Sequence, residues 1–248
     1  MFGWHATLPG GGEWGFTSRA PGVGVPPYAG FNLGAHVGDD LDAVLRNRSA
    51  LASRLGVAPH HLVHMDQVHG ADVVPVRGPA DSGQRGDAMV STTSGLALVV
   101  LVADCVPILF ADPAAGVCAV AHAGRAGFAA GVVPAVVAAA RAAGASALRA
   151  AVGPSICPRC YEVPDQLRAQ AAAVSPAAYS MSWTGTAAVD IAAGVVDQLR
   201  ALEVPTTWVP GCTREDGRYY SHRRGAPTGR FAGVVRLGPA PSPEDDER

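Results

Sequence analysis

The sequence lacks an excess of charge of either sign. Its 19 basic residues, all of them arginine, are balanced by 21 aspartate and glutamate residues, which gives a net charge of −2 at pH 7. A surface that binds nucleic acid needs a strong basic field, and the overall composition supplies none. We therefore expect no nucleic acid partner, and we favour a small or acidic ligand.

The sequence also lacks a hydrophobic run long enough to cross a membrane. Its longest apolar stretch begins at Leu96 and is interrupted by Asp104 and Cys105 before it ends at Phe110, whereas a span needs roughly 18 to 20 apolar residues. The first residues do not show the basic segment followed by an apolar segment that a secretory signal requires. We expect a cytoplasmic protein with no membrane partner.

Cysteine is scarce and odd in number. The five cysteines stand at positions 105, 118, 157, 160 and 212. An odd number in a chain without a secretory signal argues against a disulfide framework, so free, reactive or metal-bound thiols are expected. Cys157 and Cys160 form a Cys-x-x-Cys pair, but no second pair exists to complete a four-thiolate zinc site.

Periodicity predicts a mixture of helices and strands. The segment 39–56 has apolar residues at helical spacing between aspartates and a final glycine, which predicts a helix. Further helices are predicted over 129–143, 164–173 and 187–202. Apolar or alternating runs bounded by Gly, Pro and Asp predict strands over 61–68, 72–77, 87–91, 96–103, 117–123, 148–153 and 230–237.

This mixture favours an α/β (α+β) fold of three layers, α/β/α, in which helices cover both faces of a mixed central sheet. The unbroken apolar run 96–103 is typical of a central strand buried on both faces. We expect a single domain over residues 1–238. Residues 239–248 contain too little apolar surface to pack, and they are predicted to form a disordered tail.

Asp104 and Cys105 follow the predicted central strand directly. A buried strand rarely tolerates an acid, and the carboxyl ends of strands are where α/β folds open their binding crevices. His122 and His69 end two other predicted strands, and glycine follows each of them closely. The sequence spacing is too wide for a local metal motif, so the fold must bring these residues together.

One thiolate and two imidazoles match an open zinc site, in which three protein ligands leave a fourth position for water or substrate. His69, Cys105 and His122 are therefore the candidate metal ligands and catalytic residues. Asp104 is a further catalytic candidate as a proton carrier, although it could instead orient a loop by accepting backbone N–H groups. Cys105 could alternatively act as a nucleophile with His122 as its base.

The basic segment YYSHRRGAPTGR, residues 219–230, contains three arginines and a histidine that suit phosphate or carboxylate binding. Arg48 lies beside the apolar stripe of the first predicted helix. There it either lies along the core with its head group in water or reaches a ligand.

Several motifs occur together along the chain, namely FNLGAHVGDD, QVHGADVV, DAMVS, ADCVPILFAD, AHAGRAG, GPSICPRCYEV and the segment from CTRED to YYSHRRGAPTGRFAGVV. In this order they resemble the laccase-domain or polyphenol-oxidase family, also called YfiH-like. Its members are regarded as purine nucleoside phosphorylases with added adenosine deaminase activity. The resemblance extends from about Trp14 to Leu237.

The resemblance implies a single α/β/α domain, similar to a fold noted for candidate cysteine hydrolases, and a Zn²⁺ site at His69, Cys105 and His122. It implies phosphorolysis of adenosine, inosine, guanosine or methylthioadenosine, with nucleoside and phosphate as partners, and deamination of adenosine. A monomer or weak homo-oligomer is expected. Substrate contacts would come from Asn32, His36, Arg48, Gln67, Cys212 and Arg224.

One motif departs from the family. The usual His-Ala-Gly-Trp-Arg-Gly is His-Ala-Gly-Arg-Ala-Gly here, with Arg125 in place of Trp and Ala126 in place of Arg. Either Arg125 reaches the same anion as a substrate ligand, or the substrate preference differs.

Three other functions are alternatives. The first is a cysteine hydrolase or amidase that edits a cell-wall precursor, and the second is a non-enzymatic metal-binding or partner-binding module. The third is a copper-dependent polyphenol oxidase. A multi-copper centre needs clustered imidazoles, and the sequence has eight histidines with no His-x-His pair, so zinc is favoured over copper.

Overall fold

The computed structural model describes residues 1–238, and the predicted tail over 239–248 lies outside the described residues. The described chain contains thirteen strands and five α-helices. The strands are β1 (Phe2–Leu8), β2 (Gly12–Thr17), β3 (Leu62–His64), β4 (Val73–Val76), β5 (Ala88–Ser91), β6 (Ala97–Val102), β7 (Val106–Asp112), β8 (Val117–Ala123), β9 (Arg149–Val152), β10 (Tyr179–Met181), β11 (Ala187–Val189), β12 (Thr206–Trp208) and β13 (Phe231–Arg236). The helices are α1 (Leu41–Leu55), α2 (Arg125–Ala130), α3 (Val132–Ala142), α4 (Asp165–Val174) and α5 (Ile191–Ala201).

The strands form two large mixed sheets and one short hairpin. The five-stranded sheet has the order β1-β2-β13-β6-β3, and only β3 and β6 run parallel within it. The six-stranded sheet has the order β12-β9-β7-β8-β5-β4, with parallel pairs at its two edges and antiparallel pairs between them. Strands β10 and β11 pair with each other.

The two large sheets pack face to face. Leu98 and Val100 of β6 share one core with Leu109 of β7 and Val120 of β8. Helix α1 covers the outer face of the five-stranded sheet, while α2, α3 and α5 cover the outer face of the six-stranded sheet. The predicted α/β class with helices on both faces is confirmed, but two mixed sheets instead of one central sheet lie between the helices, so the layers number four and not three. The single-domain boundary over 1–238 stays a prediction.

The predicted helix over 39–56 is confirmed as α1. Its first turn is capped by Asp40, whose carboxylate accepts the backbone N–H of Asp42, and it ends at Gly56 in the left-handed conformation. The helix predicted over 129–143 is interrupted at Gly131, where a φ of 89° ends α2 and starts α3.

The structure also differs from the sequence-based prediction in residues 187–202 and in the first strands of the chain. The segment 187–202 was predicted as one helix, but its first three residues form β11. Helix α5 begins only after Asp190, which caps it by accepting the N–H of Ala193. The hairpin of β1 and β2 was not predicted, because its glycine-rich turn interrupts the apolar alternation. Within residues 1–238, none of the helices combines the length and apolar composition of a membrane span.

The chain crosses from one sheet to the other over residues 103–105. Strand β6 ends in the five-stranded sheet at Val102, and β7 begins in the six-stranded sheet at Val106. Asp104 adopts a φ of 93° in this turn, a conformation that non-glycine residues seldom use. The crossing therefore leaves Cys105 where both sheets end.

Candidate metal and substrate site

His69, Cys105 and His122 converge in the structure, and we call them the cavity cluster. Their ligating atoms lie within 4.8 Å of one another, and the Cys105 sulfur is 3.8 Å from Nε2 of His69. The three residues come from separate elements: His69 from the loop between β3 and β4, Cys105 from the turn between the two sheets, and His122 from strand β8. These soft and borderline donors form a set that suits zinc.

Gly124 allows the cluster to assemble. A Cβ atom at this position would lie 2.6 Å from Cδ2 of His69 and 3.1 Å from the Cys105 sulfur. Any side chain here would push the imidazole away from the thiol, so the glycine after His122 has a steric reason.

Asp87 holds the two histidines of the cluster. This carboxylate is fully buried, and its Oδ1 atom accepts hydrogen bonds from Nδ1 of His122 at 2.8 Å and from the backbone N–H of His69 at 2.9 Å. Its Oδ2 atom accepts the N–H of Gly70 at 2.6 Å. The bond to Nδ1 orients the His122 ring and leaves Nε2 available to ligate a metal.

Asp87 was not among the residues predicted for the site. It stands at the start of a predicted strand, and an acid directly before a buried apolar run is a signal comparable to Asp104, which directly follows such a run. A buried carboxylate needs donors, and here the donors are the two metal-ligand candidates.

The neighbours of Cys105 change its ionisation. Burial opposes the thiolate, but the charges and hydrogen bonds of His122 and His69 outweigh it and lower the pKa of the thiol to about 6. Burial also opposes the imidazolium form of His122, yet Cys105 and Asp87 raise its pKa to about 9. Without a metal, the pair is a thiolate beside an imidazolium at neutral pH, and a bound cation would displace the ring proton.

Asp104 binds two loops with its carboxylate. Oδ1 accepts the hydroxyl of Thr213 at 2.7 Å, and Oδ2 accepts the backbone N–H of Arg223 at 2.7 Å. Its carbonyl accepts the N–H of Ile156 at 2.9 Å. This is the loop-orienting arrangement that sequence analysis gave as the alternative to proton transfer.

The cavity cluster lies in the wall of a cavity of about 500 Å³, a volume in the range of small-molecule sites. Its lining combines apolar side chains with several basic ones. The aromatic ring of Tyr161, which was not singled out from the sequence, lies beside the cluster with the Arg223 guanidinium 4.9 Å from its centre. The basic lining residues are His36, Arg125, His222, Arg223 and Arg230.

Three of the predicted substrate residues line this cavity. His36 lines the cavity, and burial together with the charges of Arg230 and Arg48 lowers its pKa. Gln67 lines the cavity, but its amide is already paired with the backbone N–H and carbonyl of Leu101, at 2.9 and 2.8 Å. It therefore fastens the His69 loop to β6.

Arg125 is the third. It opens helix α2 and lines the cavity, whereas Ala126 is exposed to solvent. In this chain, the position that faces the cavity is thus the one where the family motif has Trp, and it carries a guanidinium.

Two other predicted residues lie outside the cavity lining and hold its surroundings. Asn32 is fully buried, and its Oδ1 atom accepts the backbone N–H of Arg230 at 2.8 Å. Arg48 donates from Nε to the carbonyl of Leu33 at 2.9 Å. Both residues therefore contact the backbone next to the cavity-lining Arg230, since the N–H of Leu33 donates to the carbonyl of Arg230, and this fits a positioning role.

Arg224 and Cys212 also lie outside the cavity lining. Arg224 donates to backbone carbonyls, those of Thr213 and Asp216 at 3.0 Å and that of Tyr219. Cys212 lies instead next to Cys157, whose backbone N–H points at its sulfur at 3.4 Å. The basic segment 219–230 thus divides, with Arg223 and Arg230 at the cavity and Arg224 away from it.

The chain is similar to known proteins over almost all of its length. The family model described as multi-copper polyphenol oxidoreductase laccase matches residues 13–238. A purine nucleoside phosphorylase of Streptomyces coelicolor is 51% identical over 242 residues, which cover 96% of this chain and all of that protein.

Solved structures show the same fold. The crystal structure of YlmD from Geobacillus stearothermophilus has a TM-score of 0.84 at 32% identity and covers 93% of both chains. That of the hypothetical protein YfiH from Bacillus licheniformis has a TM-score of 0.83 at 27% identity, covering 91% of this chain and 92% of that one. The chain therefore belongs to the multi-copper polyphenol oxidoreductase laccase family, the YfiH-like family that its sequence motifs indicate.

Proposed function

We propose that the protein is a zinc-dependent purine nucleoside phosphorylase. It would convert adenosine, inosine, guanosine or methylthioadenosine and phosphate to the free base and ribose 1-phosphate, and it would also deaminate adenosine. The observation that carries the proposal is one cavity of about 500 Å³ that joins a His-Cys-His donor set to several arginines. The relative named purine nucleoside phosphorylase supports the substrate class.

His69, Cys105 and His122 would hold the metal. Two nitrogens and one sulfur match the ligands of a zinc site that keeps one position open, and Asp87 supplies the carboxylate partner that ligating histidines usually have. Zinc bound there would supply a Lewis acid in the wall of the cavity. All eight histidines lie within residues 1–238, and only two belong to this donor set, so a mononuclear site fits better than a multi-copper centre.

The arginines would bind phosphate. Arg230 is oriented by hydrogen bonds from its guanidinium to the carbonyls of Thr228 and Gly229, at 3.0 and 3.1 Å. Arg125 and Arg223 line the same cavity and complete a basic surface around an anion. Arginine suits this task because its planar fork makes two parallel hydrogen bonds to phosphate oxygens.

Tyr161 and Asp104 would serve the nucleoside. The Tyr161 ring, held against Arg223, offers a flat surface on which a purine can stack. Asp104 would keep Arg223 at the phosphate side through its bond to the Arg223 N–H. It could also carry a proton to the departing base, because Asp104 lines the cavity in which the base would lie.

The test is to incubate zinc-loaded protein with inosine, with and without phosphate. We expect hypoxanthine and ribose 1-phosphate in equal amounts, and only when phosphate is present. No base from fully metal-loaded protein would overturn the phosphorylase, and base release independent of phosphate would mean a hydrolase. Ammonia release from adenosine tests the deaminase separately.

A cysteine hydrolase acting on a cell-wall precursor is the second candidate. The observation that favours it is that His122 lies near the Cys105 thiol and is hydrogen-bonded to the Asp87 carboxylate. This arrangement matches a nucleophile, a base and an orienting carboxylate. Cys105→Ser separates the two functions. Loss of the zinc bound at the cavity, together with loss of activity, fits a ligand, whereas an unchanged zinc content per chain with lost activity fits a nucleophile.

A further inference from the structure

A second group of donors lies outside the cavity. Cys157, Cys160, Cys212 and Glu215, here the thiol cluster, each place one ligating atom within 4.8 Å of the others. None of the four lines the large cavity. The cluster joins the turn that follows β9 to the loop that follows β12.

The two halves of the thiol cluster have the same local geometry. In each half, a residue donates its N–H to the carbonyl three positions earlier: Cys160 to Cys157 at 3.0 Å, and Glu215 to Cys212 at 3.1 Å. Such a turn brings side chains i and i+3 to the same side, which is why structural zinc sites use paired ligands at this spacing. Sequence analysis found only the first pair, because the second pair ends in glutamate rather than cysteine.

Backbone hydrogen bonds fix the two turns against each other. The N–H of Ser155 donates to the carbonyl of Gly211 at 3.3 Å, and the N–H of Thr213 donates back to Ser155 at 3.0 Å. The N–H of Cys157 also points at the Cys212 sulfur at 3.4 Å. The donors are therefore assembled by the fold and do not depend on flexible side chains alone.

The distances suit a tetrahedral ion. Zinc bond lengths place neighbouring sulfurs about 3.8 Å apart, and a sulfur and an oxygen about 3.5 Å apart. The Cys160 sulfur is 3.3 Å from Oε1 of Glu215, and all pairs are within 4.8 Å, so small side-chain movements close the coordination shell.

The charges around the cluster are also suitable. Three thiolates and one carboxylate around Zn²⁺ carry a net charge of about −2. Arg214 and Arg224 line the small cavity at this cluster, together with Cys160, Glu215 and Trp183. The two guanidinium groups would therefore partly neutralise the negative charge of the zinc complex.

We propose that Cys157, Cys160, Cys212 and Glu215 bind a structural zinc ion through four protein ligands. The ion would tie the turn after β9 to the loop that carries Thr213, and so would stabilise the frame of the cavity from outside it. This inference is independent of the proposed enzymatic function, because no member of the thiol cluster contacts the cavity.

The experiment isolates each cluster in turn. In a His69→Ala/Cys105→Ala variant, purified under reducing conditions, we expect one zinc per chain by elemental analysis. Its cobalt-substituted form should show the thiolate-to-cobalt charge-transfer absorption of three sulfurs. In a Cys157→Ser/Cys212→Ser variant, we expect the weaker absorption of one sulfur, and Cys118→Ala, buried in β8 outside both clusters, should keep both signals.

The proposal fails if the His69→Ala/Cys105→Ala variant contains no zinc and binds no cobalt. It also fails if mass spectrometry finds that a disulfide among the three cysteines persists in protein purified under reducing conditions. Glu215→Gln should lower the zinc affinity of the thiol cluster by at least tenfold, and an unchanged affinity of this cluster would refute the four-ligand site. If a variant does not fold, the wild type still decides the question, since fewer than three cobalt-bound thiolates per chain would contradict the site.

Discussion

The cavity cluster and the thiol cluster use the same kind of residue in different settings. The cavity cluster has two nitrogens and one sulfur in the wall of a cavity of about 500 Å³ that is also lined by basic side chains. The thiol cluster has three sulfurs and one carboxylate, drawn from two hydrogen-bonded turns beside a cavity of about 350 Å³. Where the fold supplies a fourth ligand, a metal is enclosed, and where it supplies a cavity instead, the fourth position is open to substrate.

The two clusters also differ in how they treat a thiol without a metal. His122 and His69 lower the pKa of Cys105 to about 6 despite burial. Burial, with the neighbouring sulfurs of Cys212 and Cys160, raises the pKa of Cys157 to about 12. Imidazoles therefore prepare a thiolate in the cavity, whereas crowded thiols keep each other protonated until a cation arrives.

The largest expected effect comes from Cys105→Ala. Removing one of three cavity ligands should abolish zinc binding there and lower kcat/KM for inosine phosphorolysis by more than the roughly 10–100-fold that the loss of a ligand's hydrogen-bond partner costs. Elemental analysis and steady-state kinetics measure both effects, with Cys118→Ala as the matched cysteine control. Full activity in Cys105→Ala would remove the cavity cluster from the mechanism, and loss of zinc from both clusters would mean that the variant had unfolded.

The second prediction concerns the metal-free protein. After chelation, iodoacetamide should alkylate Cys105 roughly a hundredfold faster than Cys157 at about pH 7, because the gain in thiolate fraction exceeds the lower reactivity of a less basic thiolate. The Cys105 rate should rise as the pH increases through about 6 and then level off, since the thiolate forms above that pKa. Peptide mass spectrometry gives both rates. Equal rates, or a Cys105 rate that still climbs well above pH 7, would contradict the ion pair with His122.

The cavity cluster could be predicted from the sequence because its residues stand at the ends of recognisable strands. An acid and a cysteine directly after an apolar run, and histidines before glycine, carry the signal without a structure. The partners of these residues could not be found in this way. Asp87 acts through hydrogen bonds to backbone and ring atoms that only the tertiary fold brings together.

The thiol cluster escaped prediction for a chemical reason. A search for a second cysteine pair passes over Cys212 and Glu215, because glutamate is common on surfaces and rarely a ligand of structural zinc.

The double sheet could not be predicted for a geometric reason. A strand buried on both faces has the same pattern whether helices or a second sheet cover it, as β6 shows with α1 on one face and the six-stranded sheet on the other.

The third prediction separates the clusters through Asp87. Asp87→Asn keeps the shape of the side chain but removes the charge that orients His122, so zinc affinity of the cavity cluster and activity should fall roughly 10–100-fold. Metal competition titrations of the Cys157→Ser/Cys212→Ser protein, with and without Asp87→Asn, measure the effect on this cluster alone. The matched titration in the His69→Ala/Cys105→Ala background should show an unchanged thiol cluster. An equal loss in both backgrounds would assign Asp87 to general stability.

The smallest expected effect compares two arginines of one segment. Arg230 lines the large cavity and Arg224 the small one, so Arg230→Ala should raise the KM for phosphate by roughly tenfold or more, the cost of losing hydrogen bonds to a charged ligand. Arg224→Ala should change that KM little. Instead, it should lower the melting temperature, because four backbone carbonyls lose a donor. Arg200→Ala, an exposed substitution on α5, controls for loss of one positive charge. If Arg224→Ala raises the phosphate KM as much as Arg230→Ala does, phosphate binding is not confined to the large cavity, and the two clusters are coupled through the segment that separates them.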